Sequence, residues 1–148
     1  MLYKDKCHFI NSLLLENLRT YPIADTLPHQ AADDTTIDGH HIKKGTVIQG
    51  SLTAIMHDPR NFPNPSEFIP TRFLDEAGKF QNDIRVCPFS IGLRNCVGKQ
   101  LAITQYFVFS TEIIKRFRII KHSGGLNPVN TSSTLRVEPM KISFVSRE

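Results

Sequence analysis

Apolar side chains recur at Phe9, Ile10, Leu13, Leu14 and Leu18. That is the spacing of one helix face, so a helix is predicted over residues 8–20. Pro22 cannot continue it. The stretch YPIADTLPHQA that follows reads as a short extended piece. TTIDGHHIKKGTVIQGS then reads as strand, turn, strand. Asp38-Gly39 suits a tight hairpin turn, and Gly45 marks a second bend. The β-branched run Thr46, Val47, Ile48 favours a strand after it.

Four prolines within residues 57–73 exclude long helices and regular strands there. Phe62, Phe68, Ile69 and Phe73 in the same stretch are apolar, so it is expected to pack down. Residues 74–88 hold a turn at Ala77-Gly78 and little periodicity. A long helix is predicted from Val97 to about Arg118, with Leu101, Phe107, Val108, Ile114 and Phe117 on its buried side. The tail has a break at Gly124-Gly125 and closes with an alternating strand over residues 140–145. No repeat or low-complexity tract interrupts the chain.

The chain has 148 residues, 40% apolar and 22% charged, with a net charge of +4. Such a composition is that of a folded domain able to bury a core. The first residues mix charged and apolar groups, unlike a signal peptide. No run approaches the roughly 20 apolar residues that cross a bilayer, so no anchor is expected in the chain itself. The strands lack evident partners, which suggests the tail of something larger. Lys43 and Lys44 form one basic cluster; Lys115, Arg116, Arg118 and Lys121 form another. No aromatic side chains interleave with them, which argues against nucleic-acid binding. Three cysteines, Cys7, Cys87 and Cys96, have no disulfide-framework spacing and are expected as reduced thiols.

The stretch FSIGLRNCVGKQLA, residues 89–102, is the most informative. Cys96 lies just ahead of the second predicted helix, where unpaired amides and the positive end of the helix dipole favour a thiolate. Gly92 permits a turn that other residues resist. Gly98 leaves room for something bulky and flat. Arg94 can grip a carboxylate with two hydrogen bonds. Phe89 can shield a sulfur–metal bond from water. A planar, metal-bearing macrocycle with acidic arms would use all five. No Cys-x-x-Cys suggests structural zinc, and no Cys-x-x-Cys-His suggests covalent haem. His40 and His41 are adjacent on a predicted strand and point to opposite faces.

Phe89-x-x-Gly92-x-Arg94-x-Cys96-x-Gly98 resembles the haem-binding loop of the cytochrome P450 family. Average residue frequencies put a chance match on the order of one in ten thousand or rarer. Glu16-x-x-Arg19 resembles the Glu-x-x-Arg of that family's K helix, and Pro70-Thr71-Arg72-Phe73 resembles its Pro-x-Arg-Phe segment. The resemblance implies that Glu16, Arg19 and Arg72 form a buried ionic trio with a structural role. Leu27-Pro28-His29 resembles a strand where relatives place an Arg or His on a haem propionate. A surface loop histidine is the competing reading for His29. Lys43-Lys44-Gly45-Thr46 departs from the usual Pro-Lys-Gly-Thr, and Thr71 replaces the common glutamate. The whole pattern looks most like the animal microsomal branch.

The resemblance covers the chain from about residue 3 and implies a mainly α fold with small β-sheets. Residues 1–148 would be the C-terminal third of a cytochrome P450 domain: K helix, haem-binding loop, L helix and terminal strands. It implies haem b ligated by the Cys96 thiolate, with Phe89, Gly92, Arg94, Gly98 and His29 around it. The implied reaction is monooxygenation of a small lipophilic substrate. Electrons would come from NADPH through a flavoprotein reductase, with cytochrome b5 a further partner. Lys99 is expected to meet acidic groups on the reductase. The full-length parent would sit on the cytosolic face of the endoplasmic reticulum, held by an N-terminal anchor upstream of this chain. The helix with the family's acid–alcohol pair would also lie upstream, so this chain alone is not expected to be a competent enzyme. Two other readings stay open: a non-catalytic copy that binds no haem, and a basic interaction module.

Overall fold

A computed structural model describes residues 6–124, 128–131 and 134–147. The first helix, α1, spans His8–Thr20, as the apolar spacing predicts. It ends where the Tyr21 amide closes on Asn17 O at 2.9 Å, just before Pro22. The buried face of α1 is not the apolar one. Phe9 is exposed, while Ser12, Glu16 and Arg19 are fully enclosed beside Leu14.

Strand β1 (Thr26–Gln30) pairs antiparallel with β4 (Val47–Ser51), setting His29 opposite Ile48. Between them β2 (Thr35–Ile37) and β3 (His40–Ile42) form a tight hairpin. Asp38 and Gly39 both take positive φ there, 51° and 81°, the turn that Asp-Gly favours. A short helix, α2 (Leu52–Met56), follows β4 directly; Ser51 Oγ caps it by accepting the Ala54 amide at 3.1 Å.

The proline-rich stretch after α2 is packed down. Phe62 and Phe73 join Leu52, Met56 and Val86 in the buried core, meeting edge to face with centroids 6.4 Å apart. Phe68, by contrast, is exposed. The stretch ends in a 3-10 turn over Pro70–Phe73. Leu74 and Phe80 bridge across the turn at Gly78.

Helix α3 spans Lys99–Arg116, two residues inside the predicted limits at each end. It packs on α1 through Ile103 and Tyr106, which face Leu14, Leu15 and Leu18 around a cavity of about 170 Å³. Leu101 and Val108, expected on the buried side, face outward. Helical spacing identifies a stripe but not which neighbour covers it, and α1 takes the stripe one step round. Strand β5 (Phe117–Ser123) continues α3 and pairs antiparallel with β8 (Lys141–Ser146). Strands β6 (Pro128–Thr131) and β7 (Thr134–Val137) form a fourth small pair. Of the predicted glycine break, Gly124 takes φ 88° and Gly125 lies outside the described residues. Among the described residues the architecture is three helices with four two-stranded antiparallel sheets. None of those helices is long and apolar enough to cross a membrane.

Candidate functional site

The loop between the core and α3 is shaped by two left-handed residues. Ser90 has φ 63° and Gly92 has φ 77°. Gly92 pays little for that conformation; Ser90 is held in it by its surroundings, its amide donating to Cys87 O at 3.0 Å. Gly92–Arg94 then make one 3-10 turn. The Cys96 amide donates back to Phe89 O at 2.9 Å, closing the loop on itself. The Lys99 amide reaches Cys96 O at 3.2 Å, so the cysteine stands at the head of the turn that leads into α3.

Cys96 is exposed, whereas Cys7 and Cys87 are half-buried. Burial pushes the Cys87 thiol above its ordinary value. Arg94 is exposed and makes no ion pair or hydrogen bond among the described residues. Leu93 and Val97, on either side of the cysteine, stand entirely in solvent, at 103% and 104% exposure. Gly98 has ordinary backbone angles; a Cβ there would meet only Cys96 Sγ, at 3.9 Å. Gly98 thus lies beside the sulfur with ordinary angles, whereas Gly92 makes the left-handed backbone turn. Phe89 is half-buried on the inner side of the loop, in a cavity of about 120 Å³ shared with Leu15, Leu18 and Ile103.

His29 is on the exposed part of β1. It lines an apolar depression of about 290 Å³ together with Ile48, Leu52, Cys87, Ser90 and Ile91. Its Nδ1 lies 3.2 Å from Leu27 O. A carbonyl only accepts, so a hydrogen bond there has Nδ1 as donor and leaves Nε2 for another partner.

These residues fit a haem. The loop offers an exposed thiol at Cys96 and an uncommitted guanidinium at Arg94, and His29 lines an apolar depression that reaches Ser90 and Ile91 of the same loop. No cluster of three metal-binding side chains is found among the described residues; a haem needs only the single thiolate from the protein on this side.

A buried charge cluster joins α1 to the proline-rich stretch. Arg19 donates to both oxygens of Glu16, Nε to Oε2 at 2.8 Å and Nη2 to Oε1 at 3.0 Å, and both side chains are fully buried. Arg72 Nε approaches the same carboxylate at 3.3 Å. The two guanidinium groups also do what secondary structure cannot do in a proline-rich stretch. Arg19 donates to the carbonyls of Met56, Pro65 and Glu67, and Arg72 to those of Pro63 and Asn64. Ser12 Oγ donates to Pro70 O. Carbonyls that have no ladder to join thereby gain partners, that of Met56 in the interior and those of Pro63 and Asn64 at the surface. Arg19 also lies over the Phe62 ring, 5.5 Å from its centroid.

Sequence reasoning missed Arg85. It pairs with Asp83 at 2.5 Å, donates to Asn61 O at 2.8 Å and covers the Phe62 ring at 5.0 Å. It also missed Tyr106, whose hydroxyl burial pushes up against a hydrogen bond with Asn17. The Asp-x-Arg spacing at residues 83–85 was the available signal for Arg85, but Asp58-x-Arg60 repeats it without such contacts.

A model of the family described as Cytochrome P450 matches residues 4–144. The chain is 42% identical over 97 residues to Cytochrome P450 2C16 of Oryctolagus cuniculus, covering 66% of this chain and 20% of that protein. It is 36% identical over 136 residues to Cytochrome P450 2C20 of Macaca fascicularis, covering 90% of this chain and 28% of that protein. With Cytochrome P450 2C54 of Mus musculus it shares 34% identity over 146 residues, 97% of this chain and 28% of that protein. The chain thus spans about a quarter of the length of the curated relatives it matches.

Proposed function

Because the chain belongs to the cytochrome P450 family, we propose that it carries the thiolate side of a haem site that serves monooxygenation in the whole protein. In this reading α1 is the family's K helix, residues 89–98 are its haem-binding loop, α3 is its L helix, and residues 1–148 are the C-terminal part of one domain. The observation that carries the reading is the exposed Cys96 thiol at the head of α3, with Arg94 uncommitted beside it.

When bound, haem b supplies the iron at which dioxygen is activated for insertion of one oxygen atom into a lipophilic substrate. Cys96 would ligate that iron as thiolate. Arg94 would clasp one propionate, and His29 Nε2 would reach a second. Gly98 leaves space beside the sulfur, and Phe89 closes the loop's inner side against water. Glu16, Arg19 and Arg72 take no part in the chemistry; they hold α1 to the proline-rich stretch. Electrons would come from NADPH through a flavoprotein reductase, with cytochrome b5 a second donor, and Lys99 would lie on the docking side. The mammalian P450 2C relatives support an endoplasmic-reticulum setting for the whole protein.

The test is spectroscopic. The protein is loaded with haem, reduced and exposed to carbon monoxide. A thiolate-type band that disappears in Cys96→Ala is expected; no such band, or one that survives the substitution, refutes the reading. The alternative, a chain that keeps the fold signature without haem, leaves Leu93, Val97 and Leu101 in solvent as they stand here. It predicts no haem uptake by the 148-residue chain.

A further inference from the structure

We propose that Arg85 is a positioning residue for the Cys96 loop, tying the buried charge cluster to the segment that enters the thiolate site. The link to haem rests on the function proposed above; the hold on the loop does not.

Phe62 is 2% exposed and lies under two guanidinium groups. Arg19 is 5.5 Å from its centroid and Arg85 5.0 Å. Arg19 belongs to the Glu16 cluster. Arg85 belongs to the chain leading into the loop, and its Nη1 donates to Asn61 O across 24 residues. Val86, the next residue, is buried in the same core as Phe62 and Phe73. Successive turns follow along the chain: the Val86 amide reaches Asp83 O, that of Ser90 reaches Cys87 O, and that of Cys96 reaches Phe89 O. The left-handed Ser90 falls inside this run.

The molecule supplies its own control. Asp58-x-Arg60 has the same sequence spacing and the same bidentate pairing, 2.6 Å at its shortest. Arg60 is 88% exposed against 51% for Arg85, and among the described residues its side chain has no hydrogen bond, ion pair or ring contact beyond Asp58. Local pairing with an aspartate is thus not what sends Arg85 across Phe62. A planar guanidinium can cover a ring while its edge donates to a carbonyl and a carboxylate; an ammonium cannot do all three.

The test is amide hydrogen exchange on the 148-residue chain, with Arg85→Ala, Arg85→Lys, Phe62→Leu and Arg60→Ala. Arg85→Ala is expected to speed exchange within residues 86–97 about fivefold to tenfold while α1 amides keep their rates. Arg85→Lys and Phe62→Leu should shift the same segment the same way, and Arg60→Ala should leave it unchanged. Haem-loaded Arg85→Ala should also show a smaller share of the thiolate-type carbon monoxide band. No change in segment 86–97, an equal rise in α1, no protection there in the unsubstituted chain, or a matching effect of Arg60→Ala overturns the proposal. A whole protein that takes no haem, with the exchange pattern present in this chain, refutes the functional reading and leaves Arg85's hold on the loop standing.

Discussion

The carboxylate of Glu16 accepts the backbone amide of Ile69 at 2.9 Å, joining residues 53 positions apart. The same oxygens hold Arg19 and Arg72. One helical side chain thereby fixes where the proline-rich stretch ends against α1. Glu16→Ala leaves Arg19, fully buried, without its counter-charge, and leaves the Ile69 amide unpaired. A loss of about 3–5 kcal/mol is expected. Urea unfolding followed by circular dichroism measures it; a loss below 1 kcal/mol would mean that the cluster is not buried as described.

Arg72→Lys should be milder. Arg72 is 10% exposed, and its forked head serves Glu16, Pro63 O and Asn64 O together. Lysine keeps the charge but cannot span those acceptors. A loss of about 1–2 kcal/mol is expected in the same unfolding experiment.

How far these contacts were legible beforehand differs by residue. Hydropathy placed α1 correctly because Leu13, Leu14 and Leu18 keep helical spacing and Pro22 ends it. The same hydropathy pointed to the wrong depth: Ser12, Glu16 and Arg19 lie deeper than Phe9. A polar stripe can be buried only if something distant satisfies it, and the satisfying groups here are main-chain carbonyls, which no side-chain pattern reports. Resemblance, through Glu16-x-x-Arg19 and Pro70-x-Arg72-Phe73, was the only route to that cluster. Asp38-Gly39 was readable because its turn needs positive φ. Ser90 was not, because serine carries no such bias and its angle is set by contacts. Leu101 and Val108 were misassigned for want of knowing which side of α3 meets α1.

The two loop glycines should separate on substitution. Gly92→Ala forces an alanine to φ 77°, with no clash in the way, so its cost is backbone strain of about 1–2 kcal/mol. Gly98→Ala has ordinary angles and one contact at van der Waals distance. Its effect on the unfolding midpoint should stay within about 0.5 kcal/mol. If Gly98 keeps space for haem, the same variant should weaken haem uptake. Equal midpoints for the two variants would contradict these separate roles.

Thiol chemistry gives a third reading of the loop. Iodoacetamide reacts with thiolate, and needs access. Cys96 is exposed, while Cys87 is half-buried with its thiol pushed up by burial, which lowers its thiolate fraction at any given pH. Mass spectrometry after brief treatment near neutral pH should find Cys96 modified ahead of Cys87. Modification of Cys87 first would place the loop differently against the core.

Acid should loosen Arg85 in a defined direction. Hydrogen bonds from the Arg85 side chain, outweighing the opposing effect of burial, hold the Asp83 carboxyl below its ordinary value of 3.8. The folded chain therefore binds this proton more weakly than the unfolded chain does. The stabilisation is fully present above 3.8 and is lost as pH falls through the lowered value. Asp58 and Asp75 are lowered as well, so the whole chain loses stability in acid. Asp83→Asn isolates one contribution: its unfolding midpoint should lie below that of the unsubstituted chain above pH 3.8 and close on it as pH falls through the lowered value. Parallel curves across that range would show that Asp83 does not secure Arg85. Divergence toward low pH would require the opposite shift, a carboxyl raised by burial, and would contradict the ion pair.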